Sequence, residues 1–142
     1  MKVTIVKTEK ELEDAFAIRR TVFVDEQQVP LEEEMDQFEK DSTHFVLYNN
    51  QKPVGAGRYR LVDNYGKVER ICILKENRKD GAGKILMNSI EEYAYEHKAP
   101  ALKLNAQTQA IPFYEKLGYK IVSEEFLDAG IPHKTMTKIF NH

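Results

Sequence analysis

The segment Arg78-Lys79-Asp80-Gly81-Ala82-Gly83-Lys84 does most to limit what this chain can become. An apolar, strand-like run from Val68 to Leu74 precedes it, and an amphipathic run from about Gly81 to His97 follows it. Glycines at such a junction let the backbone turn tightly and leave several N–H groups pointing at one place. A helix that starts there adds the positive end of its dipole, which makes the junction a potential anion site. A glycine-bearing helix start without any ligand is the plain alternative. Either way the segment requires a strand, a loop and a packed helix, and so an α/β layer arrangement.

The flanking sequence fills in that arrangement. Val3 and Ile5 mark a first strand, and Thr8 with Glu11 three residues on is a capping-box signature. Leu12, Ala15, Phe16 and Phe23 share one face of the helix that follows. Arg19 falls on the same side, and a charged residue on a buried face requires a partner. Val29 to Thr43, with Pro30 and seven acidic residues or prolines in all, reads as a loop with one helical turn. His44 to Tyr48, Val54 to Val62 and Val68 to Leu74, separated by Asn- and Asp-rich turns, form an antiparallel meander. On the next helix Leu86, Ile90, Tyr93, Ala94 and His97 share one face. Ala101 to Asn105 is a strand, and Ala110 to Leu117 a short helix with Pro112 in its first turn. Gly118 suits the position just past that helix. Tyr119 to Phe126 and Thr135 to Phe140 read as the last strands, giving the order βα(α)βββαβαββ in one domain over residues 1–142.

Composition removes several functions. With 21 Lys+Arg against 23 Asp+Glu the net charge is −2, which argues against wrapping nucleic acid. The single cysteine, Cys72, excludes an internal disulfide and fits a reducing compartment. No apolar run approaches the roughly 18 residues of a membrane span. Met1 to Ile5 alternates like a strand rather than a leader, so a cytoplasmic protein is expected. Nucleotide loops fit poorly. A Walker A loop needs glycine where Arg78 stands, and a dinucleotide loop needs glycine or alanine where Leu86 stands.

The pattern Arg-x-x-Gly-x-Gly, after a strand and before a helix, resembles the acyl-CoA loop of the GNAT N-acetyltransferases. Asn105-Ala106-Gln107, followed by Pro112-Phe113-Tyr114-Glu115-Lys116-Leu117-Gly118-Tyr119, is similar to the next strand and short helix of that superfamily. Arg19…Val22-Phe23-Val24-x-Glu26-Gln27…Pro30 and Gly130-Ile131-Pro132-His133-x-x-Met136 resemble a small bacterial branch of it. The resemblance covers the whole chain. It implies a mixed, mostly antiparallel sheet of 6–7 strands flanked by about four helices.

The resemblance also implies chemistry: an acetyl group passes from acetyl-CoA directly to a primary amine of a small molecule or peptide. Backbone N–H groups of Lys79, Asp80, Gly81, Ala82, Gly83 and Lys84 would hold the pyrophosphate, with Arg78 and Lys84 adding charge. Ile71, Cys72 and Ile73 would meet the pantetheine arm, with Asn105 on the facing strand, and the Ile73 N–H would polarise the thioester carbonyl. Tyr114 matches the general acid, although an aromatic packing role would leave the same residue there. An amine of pKa about 10.4 is neutral only to about one part in a thousand near pH 7, so a proton acceptor is expected. Glu69, at the start of the central strand, leads; a surface glutamate paired with Lys67 or Arg70 is the alternative. His133 follows, because an unperturbed imidazole titrates near neutrality. Arg19, Glu26 and His133 are the acceptor-side residues, and the acidic run Glu32 to Asp36 would draw a cationic amine or simply be solvated. Cys72 in an apolar strand would be inert. His44, His97 and His142 lack metal-ligand spacing, so no metal is expected. The resemblance allows a homodimer through the last strands. An acyl-CoA-binding module without turnover is the second reading.

Overall fold

The computed structural model describes residues 1–141, so His142 lies outside the described residues. The chain builds β1 (Lys2–Ile5), α1 (Glu9–Arg19), a π-helical continuation (Arg20–Glu26) and a short α2 (Leu31–Glu34). The meander follows as β2 (Thr43–Asn49), β3 (Lys52–Val62) and β4 (Tyr65–Ile73), then α3 (Ala82–Glu96) and β5 (Ala101–Gln107). A 3₁₀ turn leads into α4 (Ile111–Lys116), and β6 (Lys120–Ile121), β7 (Phe126–Asp128) and β8 (Ile131–Ile139) finish the chain. The sheet order is β1-β2-β3-β4-β5-β8-β6, with β7 beside β8. Its eight strands exceed the expected six or seven because the region after α4 divides differently.

Local chemistry accounts for most boundaries. At the start of α1 the Glu11 N–H donates to Thr8 Oγ1 and the Thr8 N–H donates to Glu11 Oε1, both at 3.1 Å, a reciprocal capping box. The turns at Asn50-Gln51 and Asp63-Asn64 take positive φ, which Asn and Asp tolerate. The expected strand Tyr119–Phe126 is broken, and the last strand starts four residues earlier than expected. Ser123 Oγ accepts the Thr135 N–H at 2.8 Å in place of a ladder carbonyl, and Glu124-Glu125 supply no apolar alternation to continue pairing.

Helices cover both faces of the sheet, so its central strands are apolar on both sides. Phe45 and Leu47 point to the α3 side and join Leu86, Met87, Ile90, Leu102 and Met136. Val46, Ala56 and Cys72 point to the α1 side and meet Ala15, Ile18 and Val22. Leu86, Met87 and Ile90 are fully buried, and each such side chain stabilises the fold by roughly 1.5–3 kcal/mol relative to an exposed one. His97, expected on this apolar face, is exposed past the end of α3, its ring stacked on Tyr93 at 3.9 Å.

One irregularity positions everything that follows. β3 and β4 keep register on either side of a bulge at which Gly57 faces both Arg70 and Ile71. Arg70 there has φ +59°, an uncommon conformation for a side-chain-bearing residue. On its other side β4 pairs in parallel with β5 only from Gly66↔Leu102 to Val68↔Leu104. Beyond that point β3 still holds β4, and β8 holds β5 as far as Gln107↔His133. The two central strands therefore separate into a wedge whose edges no neighbouring strand pairs.

Candidate active site

A cleft of about 620 Å³ occupies the wedge. β4 and β5 form its walls, the loop into α3 closes one end, and α4 brings Tyr114 against it. The π-helical segment and α2 stand over one side, and the β7–β8 turn stands over the other.

The α3 end is built for an anion. Gly81 caps the helix at φ +74°, where a Cβ would be strained, and no side chain caps the first turn. The first-turn N–H groups of Ala82, Gly83 and Lys84 thus lack intrahelical acceptors. A Cβ on Gly83 would lie 3.0 Å from the Phe113 ring, so glycine there lets α4 approach α3. Gly81, Gly83 and Lys84 line the cleft, while Lys79 and Asp80 stand outside its lining and the Ala82 methyl is buried in the core.

Arg78 departs from expectation. Its Nε donates to the Ile73 carbonyl at 2.9 Å, and Nη1 and Nη2 each meet a Glu26 carboxylate oxygen at 2.7 Å. That bidentate pair holds Glu26 below the ordinary glutamate range. The expected phosphate cation and the expected acceptor residue Glu26 are therefore joined to each other, and Glu26 does not line the cleft. Together they clasp the π-helical segment to the end of β4.

The β4 edge turns backbone groups toward the cleft. The Leu74 N–H donates to the Val54 carbonyl at 2.8 Å, so by ladder alternation Ile73 turns its N–H and C=O away from β3 and into the wedge. Ile71 and Ile73 pack on the α3 side, and Cys72 faces α1. Burial pushes the Cys72 thiol up to about 12, so it holds its proton and is no nucleophile. Tyr114 is buried against Phe113 and Tyr119, with ring centroids 5.0 and 5.8 Å away. Burial raises its phenol above the usual range, so it stays a neutral donor. Among the described residues its hydroxyl has no side-chain hydrogen-bond partner. Asn105 lines the wedge on β5, its Oδ1 taking the Thr135 hydroxyl at 2.8 Å.

The end of the cleft beneath α2 holds a dense ionic network that the sequence did not reveal. Arg19, only 1% exposed, donates to Glu34 at 2.8 Å and to Glu39 at 2.7 and 2.8 Å. Arg58, fully buried in β3, meets Asp36, Glu39 and Glu69 at 2.8 to 3.0 Å. Arg70, projected by the bulge, reaches the Glu33 and Glu34 carbonyls at 3.2 and 3.1 Å, the last turn of α2. Three expectations change. Arg19 ties down the roof and does not line the cleft. The acidic run is open only in part, because Glu34 and Asp36 are paired with arginines, as is Glu39 beyond it, while Glu32 and Glu33 stay exposed. Glu69 lines the cleft, but Arg60 at 2.7 Å, Arg58 at 3.0 Å and Lys67 at 3.5 Å surround it. Those hydrogen bonds and charges hold its carboxyl below the usual range despite burial, which makes it a weak base.

His133 is buried at the start of β8, stacked on Phe126 at 6.1 Å, and lines the same cleft. Its Nδ1 lies 2.6 Å from the Ile131 carbonyl. Across the mouth, the Gln107 amide donates to Gln27 Oε1 at 2.8 Å, joining β5 to the π-helical segment. Among the described residues no three His, Cys, Asp or Glu side chains gather as a metal-ligand set, and no helix is long and apolar enough to cross a membrane. Of the residues missed, Arg58 alone had a visible signal: a charge in the middle of an apolar strand.

Comparison with known proteins agrees with this geometry. The model of a family described as an acetyltransferase (GNAT) domain matches residues 6–140. The uncharacterised N-acetyltransferase YjcF of Bacillus subtilis (strain 168) is 56% identical over 97% of this chain and 99% of its own. A crystal structure of an acyl-CoA N-acyltransferase from Pseudomonas aeruginosa superposes with a TM-score of 0.87, 24% identity and 97% and 99% coverage. An aminoglycoside 6′-N-acetyltransferase, solved with coenzyme A, superposes with a TM-score of 0.77 at 15% identity, covering 98% and 97%. A family match along nearly the entire sequence, with a relative 56% identical over 97% of the chain, means that the chain belongs to the GNAT acetyltransferases.

Proposed function

We propose that this protein transfers an acetyl group from acetyl-CoA to a primary amine of a small molecule or peptide, directly and without an acetylated enzyme. The observation that carries the reading is the union, in one cleft, of a strand wedge with free backbone edges and an uncapped helix N-terminus. The wedge suits an amide-bearing arm laid between the strands, and the α3 N–H groups suit a pyrophosphate. The neighbour solved with coenzyme A supports the same cosubstrate. The Ile73 N–H polarises the thioester carbonyl, and Tyr114 hands its proton to the departing sulfur. Cys72, protonated and turned toward α1, favours direct transfer over a covalent relay.

Calorimetry with acetyl-CoA tests the cosubstrate, and mass spectrometry of an amine library incubated with acetyl-CoA tests turnover. Tyr114→Phe is expected to lower kcat by about 10² or more while acetyl-CoA binds nearly as before. No binding at millimolar acetyl-CoA refutes the reading. Binding without any acetylated product would make the protein an acyl-CoA-binding module instead.

A further inference from the structure

We propose that His133 Nε2, and not Glu69, takes the proton from the acceptor amine. The inference rests on the acetyl transfer proposed above and assigns the one proton that Tyr114 does not handle.

The argument starts from what a carbonyl can do. It only accepts, so the 2.6 Å contact between His133 Nδ1 and the Ile131 oxygen requires the proton on Nδ1. A neutral imidazole then carries its lone pair on Nε2. Phe126, stacked 22° from parallel, and the Ile131 bond fix the ring from two directions. Nε2 has no hydrogen-bond partner among the described residues, yet it is not among the buried polar atoms that lack one. His133 lines the cleft, so an Nε2 that the protein leaves unpaired is available to a group bound there.

The other titratable groups around the cleft are worse placed. Glu69 on β4 is enclosed by Arg58, Arg60 and Lys67, and a proton placed on it would weaken all three pairings. Glu34 on α2 is held by Arg19 and Arg70, and its carbonyl also accepts from both. Glu33 offers an exposed side chain at the rim, and Asp128 stands exposed on β7, the strand beside His133. Both carboxylates are exposed, whereas the His133 ring is buried and held by the Ile131 carbonyl and Phe126. Lys67, Arg70, Arg78 and Lys84 are cations and donate only.

The step balances. The acceptor enters as an ammonium ion, and one N–H proton passes to His133 Nε2. The freed nitrogen lone pair bonds to the thioester carbon, and the C–S pair leaves on sulfur, which takes the Tyr114 proton. The second proton lost by nitrogen restores Tyr114, and His133 releases its proton to water.

His133→Asn keeps a side-chain N–H for the Ile131 carbonyl and removes the base. With phenylethylamine as the acceptor, kcat is expected to fall about 10²- to 10³-fold. The wild type is expected to lose kcat/KM toward acid pH, and in the variant, which needs an amine that is already neutral, that decline should move to higher pH. With aniline, already neutral at assay pH, the loss should be much smaller. A merely structural histidine would reduce both acceptors alike. Nitrogen-15 NMR of histidine-labelled protein supplies an acceptor-free check: His133 should show protonated Nδ1 and bare Nε2 at pH 8. An Nε2–H tautomer, an unchanged acid limb in His133→Asn, or the same move of that limb in Glu69→Gln would overturn the assignment. If neither wild type nor variant binds acetyl-CoA, the acetyl-transfer reading fails instead.

Discussion

Replacing Arg19 with methionine separates a structural role from an acceptor-binding one. The guanidinium is 1% exposed and makes charged hydrogen bonds to Glu34 and Glu39, themselves 2% and 12% exposed. Methionine fills a similar volume but leaves both carboxylates short of a partner in a poorly solvated site. Breaking a buried pair from one side costs about 3–5 kcal/mol, an upper range here because Arg58 still meets Glu39 and Arg70 still meets Glu34. For 142 residues, an unfolding entropy of roughly 2 cal/mol/K per residue converts this into a Tm loss of about 10–17 °C near neutral pH. The pH dependence gives an independent check. Glu39 is held at about 2, against an ordinary value of 4.5, by Arg19 and Arg58, with burial opposing them. A depressed carboxylate stabilises the fold above its unfolded value, and that contribution drains away as pH falls from about 4.5 toward 2. The variant has less of it to lose, so the gap between wild type and variant should narrow over that interval. Thermal melts from pH 3 to 8 measure both quantities. A Tm change under about 3 °C, or a gap that does not vary with pH, would refute the reading of Arg19 as the anchor of the roof. Unaltered stability with a raised acceptor KM would return Arg19 to the acceptor site.

Two further outcomes follow from the geometry. Cys72, buried and with its thiol held near 12, should resist maleimide at pH 8 in the folded protein and react within minutes in denaturant, as read by intact mass. Gly81→Ala meets no steric obstacle but must hold φ +74°, so it should cost about 1 kcal/mol of stability by denaturant titration. Because it disturbs the first turn of α3, it should also weaken acetyl-CoA binding in calorimetry.

Where a role depends on near neighbours in the chain, the sequence showed it. The Thr8–Glu11 box, the apolar face of α3, the meander turns and the Gly81–Gly83 loop all follow from spacings of two to four residues, whereas α1 and its continuation bury Ala15, Ile18 and Val22 and leave the expected Leu12 and Phe16 half-buried. Those spacings, with Tyr114 and Asn105 in their motifs, were enough to point to the family and to the residues at the α3 end of the cleft. The charged residues were not legible in this way. Arg78 and Glu26 lie 52 residues apart and neutralise one another, and Arg19 reaches 15 and 20 residues forward to Glu34 and Glu39. Glu69 looked like a base from its place on a strand, but Arg60, across the hairpin, and the buried Arg58 hold it as an ion. A lone charge in a sequence carries no record of its partner, whereas a hydrophobic period carries its own buried face. Thus the sequence by itself determined the layers, the loop and the family, through local backbone preference and apolar periodicity. The tertiary structure alone decided which charges are spent on the roof, that the wedge opens beyond Val68 and Leu104, and that His133 keeps a nitrogen free, because each depends on which distant groups folding brings within a few ångströms.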